Sequence, residues 1–230
     1  MFTDRTNAGE RLGRVLRERG TTADVVLAIP RGGLPVGRAV ADALSTPDHP
    51  VPLDVVVARK LGAPGNPELA VGAVGADGAV WLNDALVERL GVSEGYLERE
   101  RDRQEAAVRE KLTRYRAGRP PLDLAGKTVL VVDDGVATGA TAIACLRTVR
   151  EAGADRVVLA VPVASPDTVD RLRSVGDQGP TASGASHRPV ADEVIAVETP
   201  PYFGAVGQYY RSFAQVGDAE ARTYLDRSPD

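Results

Sequence analysis

Residues 129–141 read Val-Leu-Val-Val-Asp-Asp-Gly-Val-Ala-Thr-Gly-Ala-Thr, and a helical pattern follows over 140–152. The run 129–132 has no polar alternation, as expected of a strand buried on both faces in a parallel sheet. Asp133 and Asp134 stand at its carboxyl end, the edge where open α/β sheets bind ligands. Gly135, Thr138, Gly139 and Thr141 then make a turn of backbone N–H groups and hydroxyls ahead of a helix, a setting that favours a phosphate. Two acids beside a phosphate cradle make sense for one kind of ligand, a sugar phosphate. The acids accept from ribose hydroxyls and the turn holds the 5′-phosphate. The plain alternative is an ordinary strand–turn–helix with an acidic cap.

On the amino-terminal side, 5–19 has an amphipathic helical pattern with Leu12, Val15 and Leu16 on one side. A buried strand over 25–29 leads into Arg31-Gly32-Gly33 and a helix over 34–44. Glycines at a strand's end let the backbone approach a ligand, and Arg31 suits a phosphate through its planar fork. A second strand is expected over 54–59, ending in Arg59-Lys60. Two adjacent cations at a carboxyl edge are costly unless an anion is near; an exposed strand end is the other reading. Residues 62–67, Gly-Ala-Pro-Gly-Asn-Pro, read as a loop, and Glu68 ends it. Glu68 could be a general base, a ligand to metal-bound water, or a surface carboxylate. A hairpin is expected from 69–74 and 79–82 across Ala76-Asp77-Gly78.

Asn83 and Ser93 suit helix N-caps. The stretch 93–115 is helical in pattern, with Glu and Arg interspersed, which fits a solvated or interface helix better than a nucleic-acid stripe. A linker spans 118–126. After the opening motif come a strand over 156–161, a helix over 167–173, a strand over 193–197 and a last helix over 218–226. Alternating strands and helices imply a parallel sheet with right-handed crossovers. The expected division is an α/β core over 1–198, with a helical excursion at about 84–117, and a C-terminal arm over 199–230. That arm gathers Tyr202, Phe203, Tyr209, Tyr210 and Phe213 in a chain that is only 4% aromatic. They read either as a hood that stacks an acceptor ring or as anchors docking the arm on the core.

Composition bounds the rest. At 230 residues and 43% hydrophobic, the chain suits one domain, or one domain with an appendage. No apolar run reaches the roughly 18–20 residues that span a membrane, and the first residues lack a signal-peptide pattern. A net charge of −4 argues against general nucleic-acid binding. Of the 28 Lys and Arg residues only Lys60, Lys111 and Lys127 are lysines. The single Cys145 makes no intrachain disulfide, which fits a reducing cytoplasm, and it reads as a small core residue. His49 and His187 are far apart, so a protein-built zinc site is not expected.

Four apolar residues, two acids, Gly, two variable residues, Thr-Gly, a small residue and Thr: this order resembles the phosphoribosyl-pyrophosphate (PRPP) signature of the type I phosphoribosyltransferases. Three further strings look like the bacterial group called predicted phosphoribosyltransferases. They are Pro-Arg-Gly-Gly-Leu-Pro-Val from Pro30, Val-Ala-Arg-Lys-Leu-Gly-Ala-Pro-Gly-Asn-Pro-Glu-Leu-Ala-Val-Gly-Ala-Val from Val57, and Ala-Val-Gly-Gln-Tyr-Tyr-Arg-Ser-Phe-Ala-Gln-Val from Ala205. The resemblance spans nearly the whole chain. It implies an open, mainly parallel twisted sheet flanked by helices, with a small C-terminal hood. It implies Mg²⁺-dependent transfer of a 5-phosphoribosyl group from PRPP to an unidentified small acceptor, with release of pyrophosphate.

By the same resemblance, PRPP is bound by Arg31, Gly32, Gly33, Arg59, Lys60, Asp133, Asp134, Gly135, Val136, Ala137, Thr138, Gly139, Ala140 and Thr141. Catalysis falls to Asp133, Asp134, Arg31, Lys60 and Glu68. Mg²⁺ sits near Asp133 and Asp134, mostly through ligand and water; on the hood reading of the aromatic cluster, the acceptor lies against Tyr202, Phe203 and Tyr209. The loop 62–67 stands where the family carries a flexible lid, and the loop at Arg31 often holds an unusual peptide bond. A homodimer is common in the family; nucleic acid and membrane are not expected partners. Two departures stand out. Residues 176–188 look like an insertion, low in apolar content. Ala137 replaces the acid that purine-salvage enzymes use near the base, which counts against hypoxanthine or guanine as acceptor. A non-catalytic sensor of PRPP or a nucleotide would keep the same signature. A dinucleotide-binding oxidoreductase would need Gly-x-Gly-x-x-Gly after the first strand, and that is missing.

Overall fold

The computed structural model of the chain describes residues 1–75, 80–174 and 189–226; the side chain of Glu68, the expected turn at 76–78 and the segment 176–188 lie outside the described residues. In chain order the elements are α1 (Arg5–Glu18), β1 (Val25–Ala28), α2 (Gly33–Leu44), β2 (Leu53–Val55), β3 (Arg59–Ala63), β4 (Asn66–Val74), β5 (Val80–Leu82) and α3 (Asp84–Arg89). There follow α4 (Glu94–Arg116), β6 (Thr128–Val132), α5 (Ala140–Glu151), β7 (Arg156–Val163), α6 (Pro166–Ser174), β8 (Glu193–Glu198) and α7 (Asp218–Asp226).

The unalternating runs make the main sheet. Five parallel strands lie in the order β2-β1-β6-β7-β8. Because successive strand residues point to opposite faces, each strand feeds two cores. Val26, Ala28, Leu130, Val132, Val158 and Ala160 face a cluster with Leu12, Leu16, Leu34, Val40, Leu112 and Leu225. Val25, Leu27, Val129, Val131, Val157 and Leu159 face another with Cys145, Leu146, Val149 and Leu172. Helices therefore cover both faces, as a parallel sheet requires. The chain runs outward from β1 to β2 and later returns to β1's other side as β6. The strand order reverses between β1 and β6, and their carboxyl ends lie side by side there.

The second strand departs from the expected 54–59. The run Val55–Ala58 is apolar throughout, and periodicity cannot tell where such a run changes partners. β2 stops at Val55, and Arg59 and Lys60 instead open a separate antiparallel sheet, β3-β4-β5, paired to Val74 and Ala73. Residues 62–67 are not a long loop. Gly62 and Ala63 belong to β3, and Asn66 and Pro67 to β4. Only Pro64-Gly65 turns, with Gly65 at φ +73°, a left-handed value that favours glycine.

α4 is largely exposed, as its interspersed charges suggest, but Val108, Leu112 and Tyr115 are buried along one side of it. Its carboxyl end is tied to the sheet edge by a mostly buried ion pair, Arg116 to Asp54, at 2.9 Å. Asn83 caps α3 through a hydrogen bond from the Leu86 amide, whereas Ser93 makes no such bond at the start of α4. The two ends of the chain are stitched together. Phe2 N–H donates to the Tyr209 carbonyl at 2.7 Å, and Arg211 N–H donates to the Phe2 carbonyl at 2.9 Å. The Phe2 and Tyr210 rings pack with centroids 5.3 Å apart.

Candidate active site

Two loops meet where the strand order reverses: 29–32 after β1 and 133–139 after β6. Their approach is close enough to require glycine. A Cβ on Gly32 would lie 2.0 Å from Asp134 Oδ2, and one on Gly33 2.8 Å from the Val132 carbonyl oxygen. The Ile29 amide donates to that same carbonyl at 2.8 Å, which fixes the first loop on the second. The Pro30–Arg31 peptide bond is cis.

Asp133 and Asp134 are both partly buried. Burial, and then the adjacent Asp134 carboxylate, raise the Asp133 carboxyl well above the usual carboxylate range. Burial raises Asp134 as well, against the pull of Arg5. Arg5 Nε donates to Asp134 Oδ2 at 2.7 Å, Arg5 Nη1 donates to the Ala214 carbonyl at 2.6 Å, and the guanidinium lies 3.8 Å from the Phe213 ring centroid. Tyr210 Oη donates to the Asp134 carbonyl. The acid at the end of β6 is thus held by both termini of the chain.

The turn that follows is built for backbone donation. Gly139 has φ +72° and no side chain caps α5, so the helix's first amides face the turn. Thr138, Ala140 and Thr141 are exposed. Val136 bridges to Ala164 after β7, and the Thr168 hydroxyl donates to the Ala137 carbonyl. Gly135 leaves room for Val206, which a Cβ would meet at 2.6 Å.

Cations ring the first loop. A cavity of about 560 Å³ is lined by Pro30, Arg31, Arg59, Lys111, Arg114 and Asp218, among others. Lys60 and Thr141 line a neighbouring cavity of about 700 Å³ with Arg147 and Trp81, the Arg147 guanidinium stacked on the indole. A further cavity of about 740 Å³, around Asp54 and Arg116, contains no residue of the signature. Among the described residues no three His, Cys, Asp or Glu side chains cluster as a metal site, and no helix is long and apolar enough to cross a membrane.

The expected residues are therefore not all in one place. Arg31, Gly32, Gly33, Asp133, Asp134 and the turn 135–141 come together. Arg59 and Lys60 approach from the second sheet, both exposed, with Arg59 Nε donating to Gln104. Phe203 and Tyr209 stack on each other with centroids 5.3 Å apart, and Tyr202 is 92% exposed. Sequence pattern does not single out Arg5, Lys111, Arg114, Tyr210 or Asp218 as site residues. Of these Lys111 carries a signal as one of three lysines in an arginine-rich chain, and Tyr210 as a member of the arm's aromatic cluster.

A family model described as phosphoribosyl transferase domain matches residues 6–183. The chain belongs to that family. A Mycobacterium tuberculosis protein provisionally named a phosphoribosyl transferase is 41% identical over 228 residues, 99% of this chain and 47% of the relative. The chain thus spans about half the length of that relative. The crystal structure of TT1426 from Thermus thermophilus superposes with a TM-score of 0.82 at 43% identity, covering 98% of this chain and 97% of the other. A ribose-phosphate pyrophosphokinase of Sulfurisphaera tokodaii is 40% identical over a shorter stretch, 81 residues, 35% of this chain and 26% of the relative.

Proposed function

We propose that this chain transfers the 5-phosphoribosyl group of PRPP to a small acceptor and releases diphosphate. The observation that carries the reading is the meeting of the Pro30–Gly33 loop with Asp134, side by side with the signature turn. In this reading the amides and hydroxyls of 135–141, with Thr138 and Thr141 foremost, hold the 5′-phosphate. Asp133 and Asp134 accept from the ribose hydroxyls, and Arg5 keeps Asp134 oriented. Arg31 and the backbone of Gly32 and Gly33 receive the leaving diphosphate, with Arg59 and Lys60 closing from β3. Glu68 belongs to the same strand pair and is a candidate contact to ligand-bound water.

Mg²⁺ fits such a donor set, because that ion takes one or two carboxylates and fills its shell with ligand oxygens and water. Two partly buried carboxylates, both raised by burial and Asp133 further by Asp134, are the protein groups that would face it. Its contribution when bound is to neutralise diphosphate charge. The C1–O bond breaks, its electron pair leaving with diphosphate, and the acceptor bonds to C1 from the opposite face and gives up a proton. The carboxylates offset the positive charge developing on the ribose, so the protein's part is positioning and electrostatics. Ala137 offers no carboxylate to take that proton, which favours an acceptor that ionises on its own. Phe203 and Tyr209, already stacked, form the rim against which an acceptor ring would lie, with Tyr202 free to cover it.

Calorimetry of PRPP binding with and without Mg²⁺, on the wild type and on Asp133→Asn/Asp134→Asn, tests the site. Magnesium-dependent binding that the double variant loses supports it and justifies an acceptor screen read by diphosphate release. A wild type that does not bind PRPP overturns it. Binding with no acceptor-dependent release would mark a PRPP sensor instead.

A further inference from the structure

The cations beside the first loop outnumber their carboxylates. Arg31, Arg59, Lys111 and Arg114 line one cavity, and the acids there are Glu110 and Asp218. Glu110 pairs with Arg114 at 3.1 Å. Asp218, in the first turn of α7, reaches Arg31 Nη1 at 3.4 Å and Arg114 Nη1 at 3.2 Å, and accepts from the Tyr115 hydroxyl at 3.4 Å. These contacts are long for charge-assisted hydrogen bonds, which run about 2.7–2.9 Å, and the Asp218 side chain is 33% exposed. The Arg5–Asp134 contact in the same site is 2.7 Å.

Lys111 completes the cluster. Its ammonium donates to the Pro30 carbonyl at 3.5 Å and makes no ion pair among the described residues. Burial lowers its pKa, and Arg59 and Arg31 push the same way against the opposite pull of Cys145 and Asp133. A half-buried ammonium next to two guanidiniums is stabilised by an anion of more than one charge. Docking of α7 does not depend on Asp218, because Ala221 and Leu225 are buried in the main core and Arg119 donates to the Leu225 carbonyl at 2.6 Å.

We propose that Asp218 is an internal stand-in for the leaving diphosphate, holding Arg31 and Arg114 until a diphosphate group displaces it and takes Lys111 and Arg114 of α4 as ligands together with Arg31. This rests on the transferase reading above, but it assigns the diphosphate end of the site to α4 and α7 as well as to the loop after β1. An occupant that must leave first lowers apparent affinity by the fraction of time it is bound.

Two probes separate this inference from the reading beneath it: inorganic diphosphate with Mg²⁺, and ribose 5-phosphate, which has the sugar and its 5′-phosphate but no diphosphate. Asp218→Asn keeps the size of the side chain and removes its charge. It is expected to tighten diphosphate and PRPP by about threefold to tenfold, since exposed ion pairs are individually weak, and to leave ribose 5-phosphate unchanged. Lys111→Met is expected to weaken diphosphate and PRPP by about tenfold or more, again with ribose 5-phosphate unchanged, which also shows that the variant is folded. Unchanged or weaker diphosphate binding by Asp218→Asn, with normal ribose 5-phosphate binding, overturns this inference alone. A wild type that binds neither PRPP nor ribose 5-phosphate overturns the transferase reading and this with it.

Discussion

In the proposed site, Asp133 sits where function and stability oppose each other. A carboxyl whose pKa is raised on folding favours the folded state only while protonated. Its stabilising effect is complete below the ordinary carboxylate pKa and is lost as the pH rises through the raised value. Above the ordinary carboxylate pKa this buried acid, next to Asp134, therefore works against folding. Asp133→Asn is expected to be more stable than the wild type at pH 8, by on the order of 1 kcal/mol or about 2–4 °C in melting temperature. The gain should shrink as the pH approaches 4, and PRPP binding should be lost at both. Thermal melts at the two pH values check it; a variant less stable than the wild type at pH 8 contradicts it. The two acids are legible in the sequence because their chemistry is local: an apolar strand, then charge, then glycine. Arg5 is not, since its partner is 129 positions away and arginine is abundant in this chain.

At the scale of elements, α4 is the piece the sequence describes least well. Its alternating charges are real and mostly solvated, and they dilute a buried stripe of Val108, Leu112 and Tyr115 at helical spacing. That stripe presses α4 onto the sheet and so places Lys111 and Arg114 beside the first loop. Leu112→Ala should cost about 2–4 kcal/mol in denaturant unfolding and weaken PRPP binding, although Leu112 touches no ligand. Leu112→Met, which conserves volume, should restore most of both. The parallel strands are legible for the opposite reason, that a strand buried on both faces leaves an undiluted apolar run. Where such a run crosses from one sheet to another, at Val55–Ala58, sequence pattern alone has no means of marking the break. The short turn at Pro64-Gly65 is hidden in the same way, behind glycines and prolines that suit a loop equally well.

Over the whole molecule, the strand order is what gives the site its two halves. β1 and β6 are neighbours in space, so the loops that follow them face each other across the reversal. The C-terminal arm then closes the arrangement from outside, anchored by Phe2 and Tyr210. Phe2→Ala removes a fully buried ring and should cost about 3–5 kcal/mol. Proteolytic nicking within 199–217 should rise with it, and a protease-resistant arm in that variant would show that Tyr210 and Phe213 suffice. Fold class is readable from elements in order; this closure is not, because it joins the second residue to a strand-like bridge near the far end. The same stitching bears on how the molecule is made. A ribosome delivers Phe2 well before Tyr210. α1 must wait with one flank uncovered until the arm is made, and Arg5 meets the Ala214 carbonyl only once the arm has emerged. The nascent chain can assemble its central strands early, but a finished binding site waits for the arm that follows them.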